Sequence, residues 1–384
     1  MTRIERTPSL RIYAGPSDRE QWIQPGPGRR TELASSATRC TGVPGPTMVA
    51  MVLERIGQPL VPRMLPLPLP GPGEVLLEVE ACGVCRTDLH VIDGELPNIR
   101  LPMIPGHECI GRVVAVGPGA EGVAPGDRLG VPWLGGSCQQ CPYCQEGKEN
   151  LCDHGEFIGY TRPGGFSSHI VARAAYCVHL PGDVDPVAVA PLLCAGLIGW
   201  RALNQVGHGD RIGLYGFGAS AHIVAQLARA QGREFFAFTR PGDVAAQAFA
   251  HRSGAAWVGG SDEMPPVLLD GAIVFAPDGA LVPMALRVMR KGSTVVCAGI
   301  HMTDIPAFPY RLLWEERQVR SVANLTRDDA RTFFDASEAA GIRTSTRKLP
   351  LAAANQAVAE LRAGAIHGTA VLVPPQQEEI QAWP

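Results

Sequence analysis

The chain has 384 residues, of which 46% are hydrophobic and 18% charged, and its net charge is −3. That length exceeds one ordinary core and suits two domains with ample apolar surface to bury. The nearly balanced charge, without a polybasic run or an acidic tail, argues against a nucleic-acid or membrane partner, and no run of about 18 apolar residues predicts a transmembrane helix.

In chain order, residues 1–47 are rich in Pro, Gly, Ser and Arg and show neither helical nor strand period, so a poorly ordered N-terminal extension is expected. Its arginines suit a transit peptide, but Glu5, Asp18, Glu20 and Glu32 do not, and a secretory apolar core is missing. Met48 or Met51 would serve as a natural start. Residues 48–185 read as short alternating strands broken by Gly and Pro, with examples at 74–79 and 111–116, which predicts a β-rich domain. Over 186–324 longer helices alternate with apolar strands at 211–215, 234–238, 272–275 and 294–298. That alternation predicts an α/β region with a doubly wound parallel sheet. Residues 325–384 read helix, strand, helix, strand, ending near Val373.

The chain carries 11 cysteines. Cys138, Cys141, Cys144 and Cys152 form a C-x2-C-x2-C-x7-C run, and such clustering points to metal in a reducing, cytoplasmic compartment rather than to disulfides. Two-residue spacing turns successive thiolates toward one centre, and the fourth closes a tetrahedron, as in a structural zinc site. An iron–sulfur cluster has related spacing but usually carries Pro after the last cysteine, where Asp153 stands here. Cys82, Cys109, Cys177 and Cys297 lie in apolar or strand-like stretches and read as buried thiols.

The strand at 211–215 runs into Gly216, Gly218, Ala219, Ser220 and Ala221, a G-x-G-x-x-A turn that opens a helix. Gly216 allows the turn, Gly218 lets backbone approach a pyrophosphate, Ala221 packs helix on strand, and the helix N-terminus favours the anion. The next strand ends Thr239-Arg240-Pro241 with no carboxylate before Asp243. A ribose 2′-hydroxyl calls for Asp or Glu there, whereas Arg240 suits a 2′-phosphate, so NADP(H) is favoured over NAD(H). A solvated arginine stacked on adenine is the plainer alternative and fits either cofactor.

Cys85 and His107 are natural ligands for a second, open metal site, with Cys194 as a third. Spacing alone argues weakly for this set, because each residue taken singly is more often a buried thiol or a satisfied histidine. Together, however, Gly83-Val84-Cys85-Arg86-Thr87-Asp88-Leu89-His90, Pro105-Gly106-His107-Glu108, the run from Trp133 to Cys138, Leu193-Cys194-Ala195-Gly196 and the glycine turn follow one another in a familiar order. From about residue 48 to 373 the chain resembles the zinc-containing medium-chain alcohol dehydrogenases. Alcohol dehydrogenase is the standard case of a catalytic zinc held by two cysteines and one histidine, so the ligand set comes with the resemblance and not from spacing.

The resemblance implies a GroES-like β-rich catalytic domain, completed by the C-terminal segment, plus a Rossmann domain inserted between. It implies two zinc ions per chain and a hydride exchanged between NAD(P) and a medium-size or aromatic alcohol or aldehyde. Cys85, His107 and Cys194 would hold the catalytic zinc, which acts as a Lewis acid. Asp88 would orient His107, Glu108 would sit behind the metal, and Thr87 and His90 would relay the proton. Arg86, Thr239, Arg240, Gly299 and Ile300 join the glycine turn as expected cofactor contacts. Trp133 (or its neighbour Leu134) and Leu96 are the expected pocket walls, with Leu96 alternatively packing its own loop. Two features depart from the common pattern. The run His367-Gly368-Thr369-Ala370-Val371 lacks an arginine that many relatives place there for pyrophosphate, and Gly299 to Pro306 resembles a less-studied bacterial branch. A homodimer or homotetramer is expected. The rivals are a polyol or quinone reductase of the same superfamily, or a non-enzymatic zinc- and nucleotide-binding protein.

Overall fold

The computed structural model describes residues 46–366 and 368–376 together with Ile380 and Trp383. The expected extension therefore lies outside the described residues except at its end, where Thr47 already begins a strand, Thr47–Val52, paired antiparallel with Val61–Pro66. His367 also lies outside them.

The first sheet has seven strands. Its order is Thr346–Pro350, Thr369–Val373, Glu74–Val84, Glu108–Val116, Arg128–Val131 and Val178–Leu180, with His169–Arg173 also pairing to Glu74–Val84. Every pairing is antiparallel except that of the first two strands. Val75, Leu77 and Val79 alternate along Glu74–Val84 and pack with Val113, Leu129, Phe166 and Ile170 into one core. The C-terminal strand Thr369–Val373 zips onto the end of Glu74–Val84, with Ala370 opposite Val84 and Leu372 opposite Cys82. The last part of the chain thus buttresses the strand that delivers Cys85.

The second sheet has six strands, all parallel, in the order Trp257–Gly260, Glu234–Thr239, Arg211–Tyr215, Leu269–Val274, Met289–Cys297 and Gln318–Ser321. Helices cover both faces, and successive residues of one strand divide between them. Phe235 and Ala237 join the core with Ile223, Val224 and Leu227 of the helix Ala219–Ala230. Phe236 and Phe238 join that with Val282 and Leu286 of the helix Leu281–Arg287. Burial on both faces is what makes these strands continuous apolar runs in the sequence. The two edge strands were not singled out in the sequence. Trp257–Gly260 ends in two glycines, and Gln318–Ser321 is largely exposed and polar, so neither shows an apolar run.

Among the described residues no single helix is long and apolar enough to cross a membrane. One pair, Pro186–Leu193 with Ala195–Val206, passes by length and composition together but is bent by 43°. Much of its apolar surface is buried, through Leu192, Leu193, Leu197, Leu203 and Val206.

Candidate active site and cysteine lobe

The strand Glu74–Val84 ends where the helix Arg86–Asp93 begins, and Cys85 is the cap between them. Its backbone N–H donates to Asp88 Oδ2 at 2.9 Å, and its Sγ accepts from the Thr87 N–H at 3.4 Å. This reciprocal capping satisfies two helix-end donors and fixes the thiol at the strand tip. The neighbouring strand Glu108–Val116 pairs in register, with Gly83 opposite Glu108, which brings His107 beside Cys85. Cys85 Sγ lies 3.0 Å from His107 Nε2 and 4.0 Å from Cys194 Sγ, the latter at the head of the helix Ala195–Val206. One donor atom from each of Cys85, His107, Glu108 and Cys194 falls within 4.8 Å of all the others.

Asp88 is fully buried, and its Oδ1 accepts from His107 Nδ1 and from the Gly106 N–H, each at 3.1 Å. That leaves Nε2 of His107 facing the cysteines. Glu108 is also fully buried, and neither carboxylate oxygen has a partner. Burial, and after it the Cys85 sulfur, push the Glu108 carboxyl well above the usual range. A Cβ on Gly83 would sit 1.9 Å from Glu108 Oε2, so only glycine lets that carboxylate fold over the strand. Two half-buried cysteine sulfurs, a buried imidazole and a buried carboxylate without a hydrogen-bond partner fit a divalent, borderline-soft metal such as zinc.

The other cysteine cluster is built differently. The Sγ atoms of Cys138, Cys141, Cys144 and Cys152 all lie within 4.8 Å of one another. Backbone N–H groups donate to the sulfurs: Cys141 to Cys138 and Cys138 to Cys152, each at 3.3 Å, and His154 to Cys152 at 3.4 Å. Amide donors, that of Gln140 first, lower the Cys138 pKa to about 6, whereas burial raises that of Cys152 to about 12. Four sulfurs with no further donor fit a closed tetrahedral zinc. The lobe also grips the distant chain: Glu149 Oε1 accepts from the Arg327 backbone N–H at 3.0 Å, and Asn150 Nδ2 donates to the Ala323 carbonyl at 2.7 Å.

Thr87 and His90 sit three residues apart on one helix face, Thr87 half-buried and His90 buried. Gly94 ends that helix in the left-handed region (φ 75°) and turns the chain so that Glu95 folds back and contacts His90 Nδ1. The His301 ring, from the loop after Met289–Cys297, lies 5.5 Å from the His90 ring. The sequence reading assigned no role to Glu95 or His301. Nor did it single out Phe157 and Tyr160, whose rings stack on Trp133 at 5.5 and 5.7 Å. Trp133 in turn meets the His107 ring edge-on at 5.0 Å. Aromatic residues at 157 and 160 close to the cysteine run were the available signal. Leu96 is half-buried against the core that contains Trp133.

At the parallel sheet, Gly216 (φ 87°) follows the strand Arg211–Tyr215, and Gly218 heads the helix Ala219–Ala230 without a side-chain cap. A Cβ on Gly218 would meet nothing within 4 Å, which leaves the helix start open to a ligand. Ala221 is fully buried, and Ser220 follows Ala219 in the first turn. Thr239 is buried, its hydroxyl donating to the carbonyls of Arg240 and Gly259. Arg240 is exposed at the strand end, while the Asp243 carboxylate accepts from the Ala246 N–H as a helix cap. Arg86 and Ile300 are exposed and Gly299 is half-buried.

A parallel sheet with a glycine turn, joined to a mainly antiparallel domain beside two side-chain clusters able to hold a metal, fits a zinc- and nucleotide-dependent dehydrogenase. Residues 71–182 match the alcohol dehydrogenase GroES-like domain. The chain is 46% identical over 315 residues to a Mycobacterium tuberculosis protein named "Probable alcohol dehydrogenase AdhA", covering 80% of this chain and 90% of that one. A Sinorhizobium meliloti protein described as a "putative zinc-binding dehydrogenase" and bound to NADP superposes with a TM-score of 0.77 at 27% identity, over 86% of this chain and 100% of that one. Cinnamyl alcohol dehydrogenase from Sorghum bicolor superposes at 0.78 and 25% identity, over 85% and 98%. The chain belongs to the zinc-containing medium-chain alcohol dehydrogenases and is an oxidoreductase.

Proposed function

We propose that the protein interconverts medium-size or aromatic alcohols and their aldehydes, with two zinc ions per chain and NADP(H) preferred over NAD(H). The convergence of Cys85, His107, Glu108 and Cys194 beside the aromatic face of Trp133 carries this reading. Cys85, His107 and Cys194 would hold the catalytic zinc and the four lobe cysteines the structural one. When bound, the catalytic zinc supplies Lewis acidity toward the substrate oxygen and the nicotinamide supplies or accepts the hydride.

The chain's own residues do the rest. Asp88 holds the proton on His107 Nδ1 and so keeps Nε2 free as a donor atom. Thr87 and His90 line the way out for the alcohol proton. The open turn at Gly216, Gly218, Ala219, Ser220 and Ala221 would hold the pyrophosphate, with Arg86 as a further contact. Gly299 and Ile300 would contact the cofactor. Arg240, exposed at the strand end, would meet the 2′-phosphate, while the Asp243 carboxylate is engaged as a helix cap. Thr239 fixes that strand end through its two carbonyl contacts. The stacked plates of Trp133 and Tyr160, tilted by only 6°, offer a flat apolar wall suited to an aromatic ring.

The exposed edge strand Gln318–Ser321, with exposed Tyr310 and Trp314 nearby, supports assembly of two or four copies. All ten described cysteines are free, which agrees with the cytoplasm. The test is turnover of ethanol, hexanol, benzyl alcohol and the matching aldehydes with NADPH and with NADH, beside zinc analysis. Ethanol as the best substrate, or NADH as the better cofactor, would overturn the corresponding part.

A further inference from the structure

Apart from the metal clusters, one group of titratable side chains bridges the two sheets. His90, on the helix Arg86–Asp93, is only 7% exposed. Glu95 follows the Gly94 turn of the same lobe, is exposed, and touches His90 Nδ1. His301 comes from the other lobe, two residues beyond Gly299, and is exposed with its ring 5.5 Å from that of His90 at a tilt of 46°. Behind them Arg362, at the end of the helix Ala354–Arg362, donates to Asp93. Among the described residues, His90 thus faces the Glu95 carboxylate and the His301 imidazole, with the Arg362–Asp93 pair behind Glu95.

We propose that His301 is a positioning residue for His90, its ring standing across the cleft from the imidazole that Glu95 contacts, so that both lobes set the proton affinity of the relay. The proposal rests on the reading of His90 as the relay group. A carboxylate at an imidazole nitrogen favours the imidazolium form, and a like charge across the cleft opposes it. Glu95 is held ionised in this setting: the hydrogen bond with His90 lowers its pKa first, and the charges of His90, His301 and Arg362 add to that. The proton taken up on His90 leaves from the Nδ1 side, where Glu95 opens to water. His301 ties that exit to the loop carrying Gly299 and Ile300, so the relay is tuned only where the cofactor lobe stands over it.

The experiment is the pH profile of kcat/KM for alcohol oxidation by the zinc-loaded enzyme with NADP. His301→Gln removes a like charge, so the acid limb should move to higher pH, by roughly half a unit or more at this separation. His301→Arg keeps the charge at every pH and should move the limb below wild type. Glu95→Gln removes the opposite charge and should also move it down. Loss of a merely structural contact would lower activity in these variants without moving the limb. His90→Gln separates the two readings. If it leaves the profile unchanged, the relay reading itself falls. If it reshapes the profile while the His301 variants leave the limb where it was, or move it in one common direction, this proposal is overturned.

Discussion

The two candidate metal clusters differ in how the chain builds them. The lobe cysteines Cys138, Cys141, Cys144 and Cys152 all come from one 15-residue run, and their neighbours' amides donate to the sulfurs. The other cluster draws Cys85, His107 and Cys194 from three segments, two of them 109 residues apart, and its outer support is the buried carboxylate of Asp88 on His107 together with one amide, that of Thr87, on Cys85. A local cluster depends on little else in the fold and can serve as a brace. A cluster assembled from strand ends and a helix start depends on the whole packing, and it lies where the lobes meet. The first should therefore govern stability and the second chemistry.

Substituting one ligand in each cluster is the sharpest way to break this contrast. Cys85→Ser should lower turnover by at least about a thousandfold, on the scale of losing a Lewis acid, while the melting curve stays close to wild type. Cys141→Ser should instead lower the unfolding temperature by roughly 5–10 °C, with activity retained in the folded fraction. Metal analysis should give two zinc ions in wild type and one in each variant. A single zinc in fully loaded wild type would remove the distinction.

Asp88→Asn probes the support of the second cluster. The amide can keep a contact with His107 but cannot stabilise it as a carboxylate does, so zinc affinity should weaken by roughly 10–100-fold. Chelator competition measures this, and a corresponding loss of zinc from the lobe would show that the two clusters are not independent.

The contrast also explains what the sequence disclosed. The lobe was legible from spacing because its geometry is local. The parallel sheet was legible at its centre, where strands such as Glu234–Thr239 are buried on both faces, and illegible at Trp257–Gly260 and Gln318–Ser321, where edge strands need no apolar run. Cys85, His107 and Cys194 were recognised only through the family resemblance, since nothing local says that the register of Gly83 with Glu108 brings them together. Glu95 reaches His90 through a left-handed turn, and His301 through a contact between lobes; neither leaves a periodic trace.

A smaller effect is expected at the cofactor. Arg240→Ala should weaken NADPH by about tenfold relative to NADH, since a charge-assisted contact contributes on the order of 1.5–3 kcal/mol. Titration of both cofactors measures it, and equal weakening would mean that Arg240 only stacks.

The smallest effect concerns the wall formed by Leu96. Its loop is tied to the aromatic plates, because the Tyr160 hydroxyl donates to the Pro97 carbonyl, and Leu96 itself is half-buried against the core that holds Trp133. Small-alcohol members of the family can carry tryptophan on this loop, and leucine fills much less volume. If Leu96 faces the cleft, the space left beside Trp133 admits longer chains or a ring, and each methylene buried there contributes about 0.8 kcal/mol. Catalytic efficiency should then rise by a few-fold per carbon from ethanol toward hexanol until the walls are met. Leu96→Trp should cut efficiency on hexanol and benzyl alcohol several-fold while ethanol changes little. If Leu96 only packs its loop, the larger ring disturbs all substrates alike, so an equal loss across the series would take Leu96 out of the pocket and leave Trp133 and Tyr160 as its walls.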